Sequence, residues 1–272
     1  MNGMTNGINR KEIDRKRIQM PEGMFADLVT YDIEGYGTAE YIENMEQESG
    51  EFRRRHSMLP KNYINVRGTD FKWNLYENAE LTEQKQTVNA FTLNFNTFRK
   101  EGKGLYIYSK TKGSGKTMLA CCLANEIMER HDITVKFIST VEFIERTKDS
   151  FNDYSEKREL EQLINASLLI IDDIGAEIKK DWIDMILFRI IDSRYTNKRI
   201  TIFTSNVERD SLKLNDRIKD RIYDMTVTIR LPEVPVRQKL ADIHNREFIS
   251  RMNNVMQAAG SEKKSPQSQN NS

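Results

Sequence analysis

Between Gly104 and Ile127 the chain reads Gly-Leu-Tyr-Ile-Tyr, then Ser-Lys-Thr-Lys-Gly113-Ser-Gly115-Lys116-Thr117, then Met118-Leu-Ala-Cys-Cys-Leu-Ala-Asn-Glu-Ile. A short apolar run, a glycine-rich turn and a helical run follow one another without a break. That order restricts the fold more than any other stretch. A strand that enters a helix through such a turn aims successive backbone N–H groups at one point, which makes a concave anion site. The glycines let the backbone close on phosphates, Lys116 adds a positive charge and the Thr117 hydroxyl suits Mg²⁺. Gly113, Ser114, Gly115, Lys116, Thr117 and Met118 are therefore the expected phosphate cradle. The usual spacing G-x-x-x-x-G-K-[ST] would place its first glycine at position 110, where this chain has Lys110. A lysine forced to positive φ there would be strained by roughly 1–2 kcal/mol.

Further short apolar runs follow at Val135 to Ile138, Leu168 to Ile171, Ile200 to Phe203 and Val227 to Leu231, separated by helical stretches. With Leu105 to Tyr108 they make five strands alternating with helices, which predicts a parallel sheet covered on both faces. The helices are expected at Lys116 to Arg130, within the insert Thr140 to Asn165, at Asp181 to Thr196, at Leu214 to Asp224 and from Pro235 to about Met252. Upstream, Leu81 to Arg99 reads as a helix. Phe71, Trp73 and Tyr76 read as core, although an aromatic segment just ahead of a phosphate loop could also cover a base.

Two strands end in polar residues. Leu168-Leu-Ile-Ile-Asp172-Asp173-Ile-Gly175-Ala-Glu177 closes on carboxylates, and in open parallel sheets ligands gather beyond the carboxyl ends of strands. Asp172 is expected beside the Mg²⁺ that Thr117 would hold. Adjacent side chains on a strand point to opposite faces, so Asp173 cannot repeat that task; Asp173 or Glu177 would orient an attacking water. Thr201-Ile-Phe-Thr-Ser205-Asn206 ends another strand and offers Asn206 as a polar sensor of the terminal phosphate. Arg217 and Arg221 share one helix face, and both a catalytic role and simple pairing with Asp220 and Asp224 fit them. Arg237 falls in the first turn of the last helix, where the helix dipole disfavours a cation by roughly 0.3–1 kcal/mol. A nearby phosphate would remove that objection.

Charge narrows the classes of partner. A formal net charge of +1 over 272 residues leaves no global field to attract nucleic acid, so any DNA site must be a local patch. Cys121 and Cys122 are neighbours and the chain has three histidines, so no zinc spacing is present. No apolar run approaches a membrane span, and the first residues are polar, which suggests neither export nor insertion and a cytoplasmic protein. From Met1 to about Val66 the sequence is charged and weakly periodic. The acidic run from Glu40 and the basic run Arg53-Arg-Arg-His56 read as a solvated helical surface. The tail after Gln257 lacks apolar residues and reads as disordered.

In this order G-S-G-K-T, L-L-I-I-D-D-I-G-A-E, F-T-S-N and R-I-K-D-R-I resemble the AAA+ ATPases of the DnaC and DnaI helicase-loader type, with the IstB transposition ATPases as close relatives. The likeness covers about Phe71 to Met252. It implies an α/β fold: an AAA+ P-loop core with a five-stranded parallel sheet between helices, preceded by a small, mostly helical N-terminal region. The implied division is 1–68 for partner binding, 69–255 for the ATPase and 256–272 for a disordered tail. Lys116 and Thr117 would be Walker A, Asp172 and Asp173 Walker B, Asn206 sensor 1, Arg221 the arginine finger acting on a neighbouring subunit's ATP and Arg237 sensor 2. The resemblance also implies that the insert from Phe143 to Asn165 meets single-stranded DNA through Lys148, Phe151, Tyr154, Lys157 and Arg158. An amphipathic spacer with solvated charges is the other reading of that insert.

The function expected from this resemblance is ATP-dependent loading of a replicative DNA helicase onto single-stranded DNA. ATP and Mg²⁺ are the expected cofactors, turnover is expected to be slow and partner-stimulated, and the ATP-bound chain is expected to form a homo-oligomer. The alternatives are an IstB-like ATPase assisting a transposase, a small-molecule kinase and a non-hydrolysing adaptor.

Overall fold

Alternate residues of the strand Gly104–Tyr108 look into opposite halves of the molecule, which is the period-two consequence of a pleated backbone. Leu105 and Ile107 are buried with Leu119, Leu123 and Ile127 on one side, while Tyr106 and Tyr108 are buried with Ile138, Leu187 and Ile191 on the other. A sheet apolar on both faces has to be covered on both. The computed structural model describes residues 10–20, 24–47, 50–76, 79–148, 154–175 and 181–262.

Eight strands and nine helices span the described residues. The strands are β1 (Arg10–Gln19), β2 (Met24–Ile33), β3 (Gly37–Gln47), β4 (Gly104–Tyr108), β5 (Val135–Ser139), β6 (Leu168–Asp172), β7 (Ile200–Ser205) and β8 (Thr226–Arg230). The helices are α1 (Gly50–His56), α2 (Thr82–Leu93), α3 (Phe95–Glu101), α4 (Lys116–Arg130), α5 (Thr140–Lys148), α6 (Tyr154–Asn165), α7 (Asp181–Thr196), α8 (Asp216–Asp224) and α9 (Val236–Glu262). The five later strands form one parallel sheet in the order β5-β6-β7-β4-β8. The fold class expected from the sequence, five parallel strands between helices, is what the chain adopts. Because β4 lies between β7 and β8, its outgoing loop opens next to the ends of β6 and β7, where a crevice forms beyond the carboxyl ends of the strands.

In the N-terminal region the expectation needs a correction. Helix there is confined to α1 and three 3-10 turns at Lys61–Tyr63, Gly68–Asp70 and Trp73–Leu75, and the residues before them form an antiparallel sheet, β1-β2-β3. Phe25, Asp27, Val29, Tyr31 and Ile33 alternate along β2, and Gly35 and Gly37 turn the chain into β3 with φ of 84° and 82°. A hairpin is the consequence. Many charges obscured that period: Arg15 pairs with Glu12 and Asp27, and Arg17 with Asp27. The acidic run from Glu40 therefore lies on a strand. The basic run is not wholly solvated either, since Arg53 is buried and donates to the Met128 carbonyl at 3.0 Å while pairing with Asp132.

Two polar anchors fix the walls around the crevice. Asn125 on α4 is buried, and its Nδ2 donates to the Tyr63 and Val66 carbonyls at 2.8 and 2.9 Å, holding the 3-10 segment against α4. Arg194 on α7 is fully buried. Its guanidinium donates to the carbonyls of Leu163, Ile164, Ala166 and Ile200 and to the Thr201 hydroxyl, so it closes the C-terminal end of α6 onto β7. The last helix continues to Glu262, beyond its expected end and into the stretch that reads as disordered; residues 263–272 lie outside the described residues. Among the described residues no helix is long and apolar enough to cross a membrane.

Candidate nucleotide site

The loop from Ser109 to Gly115 leaves β4 and enters α4 through two left-handed glycines, Gly113 at φ 73° and Gly115 at φ 93°. A Cβ at Gly115 would meet the Tyr76 hydroxyl at 2.8 Å, so glycine is required there by both φ and space. Among the described residues the non-glycine positions with positive φ are Met58, Asp173 and Lys198. Lys110 thus carries none of the left-handed strain that the glycine pattern raised.

Lys116 is buried at the start of α4, and its Nζ donates to the Ser109 and Thr111 carbonyls at 3.2 and 3.1 Å and to the Ser114 hydroxyl at 3.2 Å. Burial lowers its pKa, opposed by the nearby Asp173 and Asp172 carboxylates. Thr117 Oγ1 donates to Asp172 Oδ1 at 2.8 Å, which joins the loop to the end of β6. Asp172 Oδ1 also accepts from Thr204 Oγ1 at 2.6 Å. Burial raises the Asp172 pKa above the usual carboxylate range, partly offset by the two threonine hydrogen bonds.

Asp173 does something different from its neighbour. Its backbone is left-handed at φ 57°, its N–H donates to Thr204 Oγ1 at 2.9 Å, and its carboxylate accepts from Asn206 Nδ2. Left-handed backbone at a non-glycine costs roughly 1–2 kcal/mol, less for aspartate, whose short side chain bonds locally. Such strain at the end of a central strand is typical of sites where a side chain must be aimed. Thr204 is the residue that sequence reasoning missed: one hydroxyl bridges the Asp172 side chain and the Asp173 backbone. Its signal is the polar ending of Thr201-Ile-Phe-Thr-Ser205-Asn206, which holds Thr204 two residues before Asn206.

A cavity of about 420 Å³ opens over the loop, lined on one side by Gly113 to Met118 and on the other by Tyr63, Phe71 and Tyr76. The backbone N–H of Arg237 donates to the Gly113 carbonyl at 2.9 Å, and its exposed side chain lines the same cavity. Phe71 and Tyr76 are buried and stacked with centroids 5.9 Å apart, so they belong to the core and wall the cavity as well. Tyr76 reaches the loop itself, donating to the Ser114 carbonyl at 2.5 Å.

Arg221 lies away from this cavity. Its Nε donates to Asp192 Oδ1 at 3.0 Å and its guanidinium sits 4.7 Å from the Tyr195 ring centre, on the face where α8 meets α7. The partner of Arg221 is therefore Asp192, where the sequence had offered Asp224. Arg217 is exposed, and its backbone N–H donates to the capping Asn215 side chain. Of the DNA-contact candidates, Phe151 lies outside the described residues, as does Glu177. Lys148 ends α5, and Tyr154, Lys157 and Arg158 fall in the first turns of α6.

The site's chemistry fits a metal-bound nucleoside triphosphate. Among the described residues no group of three or more His, Cys, Asp or Glu could hold a metal unaided. Mg²⁺ bound with phosphates needs only one or two carboxylates and a hydroxyl from the protein, and Asp172 and Thr117 meet at that point.

Comparison with known proteins agrees with this geometry. The family model of the IstB-like ATP binding protein matches residues 76–223, more than half of the chain. The chain belongs to the IstB-like ATP binding protein family. Proteins with helicase-loader names are similar to it in sequence. The replicative helicase loader DnaI of Bacillus subtilis is 29% identical over 164 residues, covering 59% of this chain and 52% of that protein. The replicative helicase loader DnaC of Escherichia coli K12 is 32% identical over 146 residues, covering 52% of this chain and 56% of that protein. The chain thus spans about half the length of the curated relatives it matches. A crystal structure of the DnaC helicase loader superposes with a TM-score of 0.54 at 29% identity, covering 64% of this chain and all of that one. In sequence and in fold this IstB-like chain is similar to the DnaC and DnaI helicase loaders, the type that its motif series resembles.

Proposed function

We propose that this IstB-like ATPase loads a replicative DNA helicase onto single-stranded DNA and hydrolyses ATP between subunits as it does so. The observation that carries the ATPase reading is the hydrogen-bonded chain Thr117–Asp172–Thr204–Asp173–Asn206, which links the phosphate loop to the ends of β6 and β7. Thr117 and Asp172 would hold Mg²⁺, and the bound Mg–ATP supplies a polarised terminal phosphoryl group. The amides of Gly113 to Met118 and the Lys116 ammonium bind and neutralise the phosphates. Asp173, aimed by its left-handed backbone and by Asn206, orients the attacking water, and Asn206 senses the terminal phosphate. Arg237 approaches in the same subunit. Arg221 acts on a neighbour's nucleotide, presented on the surface by Asp192 and Tyr195.

The loading role rests on the names of the similar proteins and on the order of the motifs. In this reading the protein is cytoplasmic and homo-oligomeric when ATP-bound, and the sheet of residues 10–47 meets the helicase. Residues 50–68 stay with the ATPase body, since Arg53, Tyr63 and Val66 are tied to α4. The insert touches single-stranded DNA through Lys148, Phe151, Tyr154, Lys157 and Arg158.

The test is co-purification of the full chain with replicative helicases, with and without ATP and a DNA single strand. ATP-dependent capture of a helicase, and preference for single strand over duplex, is the expected result. Capture of a transposase together with duplex preference would shift the reading to transposition. No ATP binding by the wild type, or normal hydrolysis by Lys116→Ala, would overturn it entirely.

A further inference from the structure

The segment joining β8 to α9 lies along the phosphate loop. Leu231 N–H donates to the Tyr108 carbonyl at 2.8 Å and Arg237 N–H to the Gly113 carbonyl at 2.9 Å, so both ends of the segment are tied to the chain around the loop. Between them stands Glu233. Its Oε1 accepts from the Lys110 N–H at 3.1 Å, and its Oε2 accepts from the Thr111 N–H at 2.6 Å and the buried Ser109 hydroxyl at 3.1 Å. One carboxylate thus collects three consecutive donors at the first turn of the loop, where the sequence pattern has lost its glycine to Lys110. Hydrogen bonds to an ionised acceptor are shorter and stronger than neutral ones. Glu233 is exposed at the surface; partial desolvation raises its pKa, but the bonds from Lys110, Thr111 and Ser109 outweigh this and hold the carboxyl below the ordinary range.

We infer that Glu233 is a positioning residue for the phosphate loop: it fixes the backbone at Lys110 and Thr111 so that the cradle is set before nucleotide arrives. Glu233 does not line the 420 Å³ cavity, so it works through the loop backbone and leaves the phosphates to Lys116 and the glycine-flanked amides. A loop ordered in advance spares the ligand the cost of ordering it. The same contact ties the start of α9, and with it Arg237, to the loop's first turn. This inference rests on the ATP-binding reading, and the experiment separates the two.

ATP is titrated into the full chain by calorimetry for the wild type and for Glu233→Ala, Glu233→Gln and Lys116→Ala. Thermal midpoints without nucleotide and amide hydrogen exchange across residues 109–115 are measured on the same proteins. Glu233→Ala is expected to weaken ATP binding by about tenfold, speed exchange at Lys110 and Thr111, and move the midpoint by no more than about 2 °C. Glu233→Gln should fall between, because one oxygen still accepts while its NH₂ faces a donor. ATP binding by Glu233→Ala at wild-type strength, or a loss that merely follows lowered thermal stability, would overturn the positioning role and leave the nucleotide site standing. Failure of the wild type to bind ATP would instead remove the nucleotide reading and this inference with it. If Glu233→Ala does not fold, Glu233→Gln decides by the same criteria.

Discussion

Thr117 Oγ1 and Asp172 Oδ1 lie 2.8 Å apart, although 55 residues separate them in the chain. The first helix residues after the glycine turn and the last residue of β6 converge because β7 and β4 place the two strand ends around one crevice. The consequences can be measured one residue at a time.

Asp172→Asn removes a desolvated charge while keeping the shape. The Asp172 pKa is raised in the folded state by burial, so the folded protein holds the proton more tightly than the unfolded chain. The carboxylate then costs stability once pH exceeds the unfolded value, and the cost is full above the raised folded value. Asp172→Asn should therefore melt a few degrees higher than wild type near pH 7, with the gap narrowing as pH falls through the carboxylate range. Magnesium-dependent tightening of ATP binding should vanish in the same variant. Melting curves across pH and calorimetry with and without Mg²⁺ check both.

Asp173→Asn should fold and bind ATP as wild type does, because asparagine also tolerates the left-handed backbone. Hydrolysis should fall by about 10²-fold or more through loss of the carboxylate. Asn206→Ala should lose a similar factor. Since the two side chains act as one unit through their hydrogen bond, the double variant should lose little more than either single one. Multiplicative losses in steady-state turnover would separate their roles.

Arg221→Ala should leave ATP affinity of the isolated subunit unchanged and lower turnover of the assembled protein by about 10²-fold or more. Asp192→Ala frees the same guanidinium from its ion pair, which is 37% and 35% exposed on its two sides. A smaller loss is expected there, appearing in the dependence of rate on protein concentration. Mixing Arg221→Ala with Lys116→Ala subunits gives the decisive readout: partial recovery of hydrolysis marks action between subunits.

Arg194→Ala strands the carbonyls of Leu163, Ile164, Ala166 and Ile200 in the interior. Leaving such groups unsatisfied should cost about 3–5 kcal/mol in urea unfolding. Arg194→Lys should not rescue it, because an ammonium cannot reproduce the planar fork of donors.

The parallel core was legible because its signals are local. Leu168 to Ile171 and Ile200 to Phe203 are unbroken β-branched or apolar runs, and Lys116 to Arg130 and Asp181 to Thr196 begin and end as helices where their patterns do. Residues 10–47 were not legible, since Arg15, Arg17, Asp27 and Glu43 punctuate the alternation that makes β1, β2 and β3. In the site, the ligand-facing residues announced themselves by motif. Thr204 and Glu233 did not, because their roles depend on which strand lies beside which, and strand order is not written in any single segment. Asp192 is the same case: it meets Arg221 only because α7 packs on α8.

Cys121 and Cys122 sit in the middle of α4 beneath the phosphate loop, both buried and unbridged. Burial raises both thiols, Cys122 to about 12 and Cys121 higher still, so neither forms the reactive thiolate at neutral pH. The chain therefore carries a built-in reporter. A maleimide dye should stay dark against the closed protein and light up only when the packing around α4 opens, at the 3-10 segment for Cys122 and at the sheet for Cys121, with nucleotide slowing the signal.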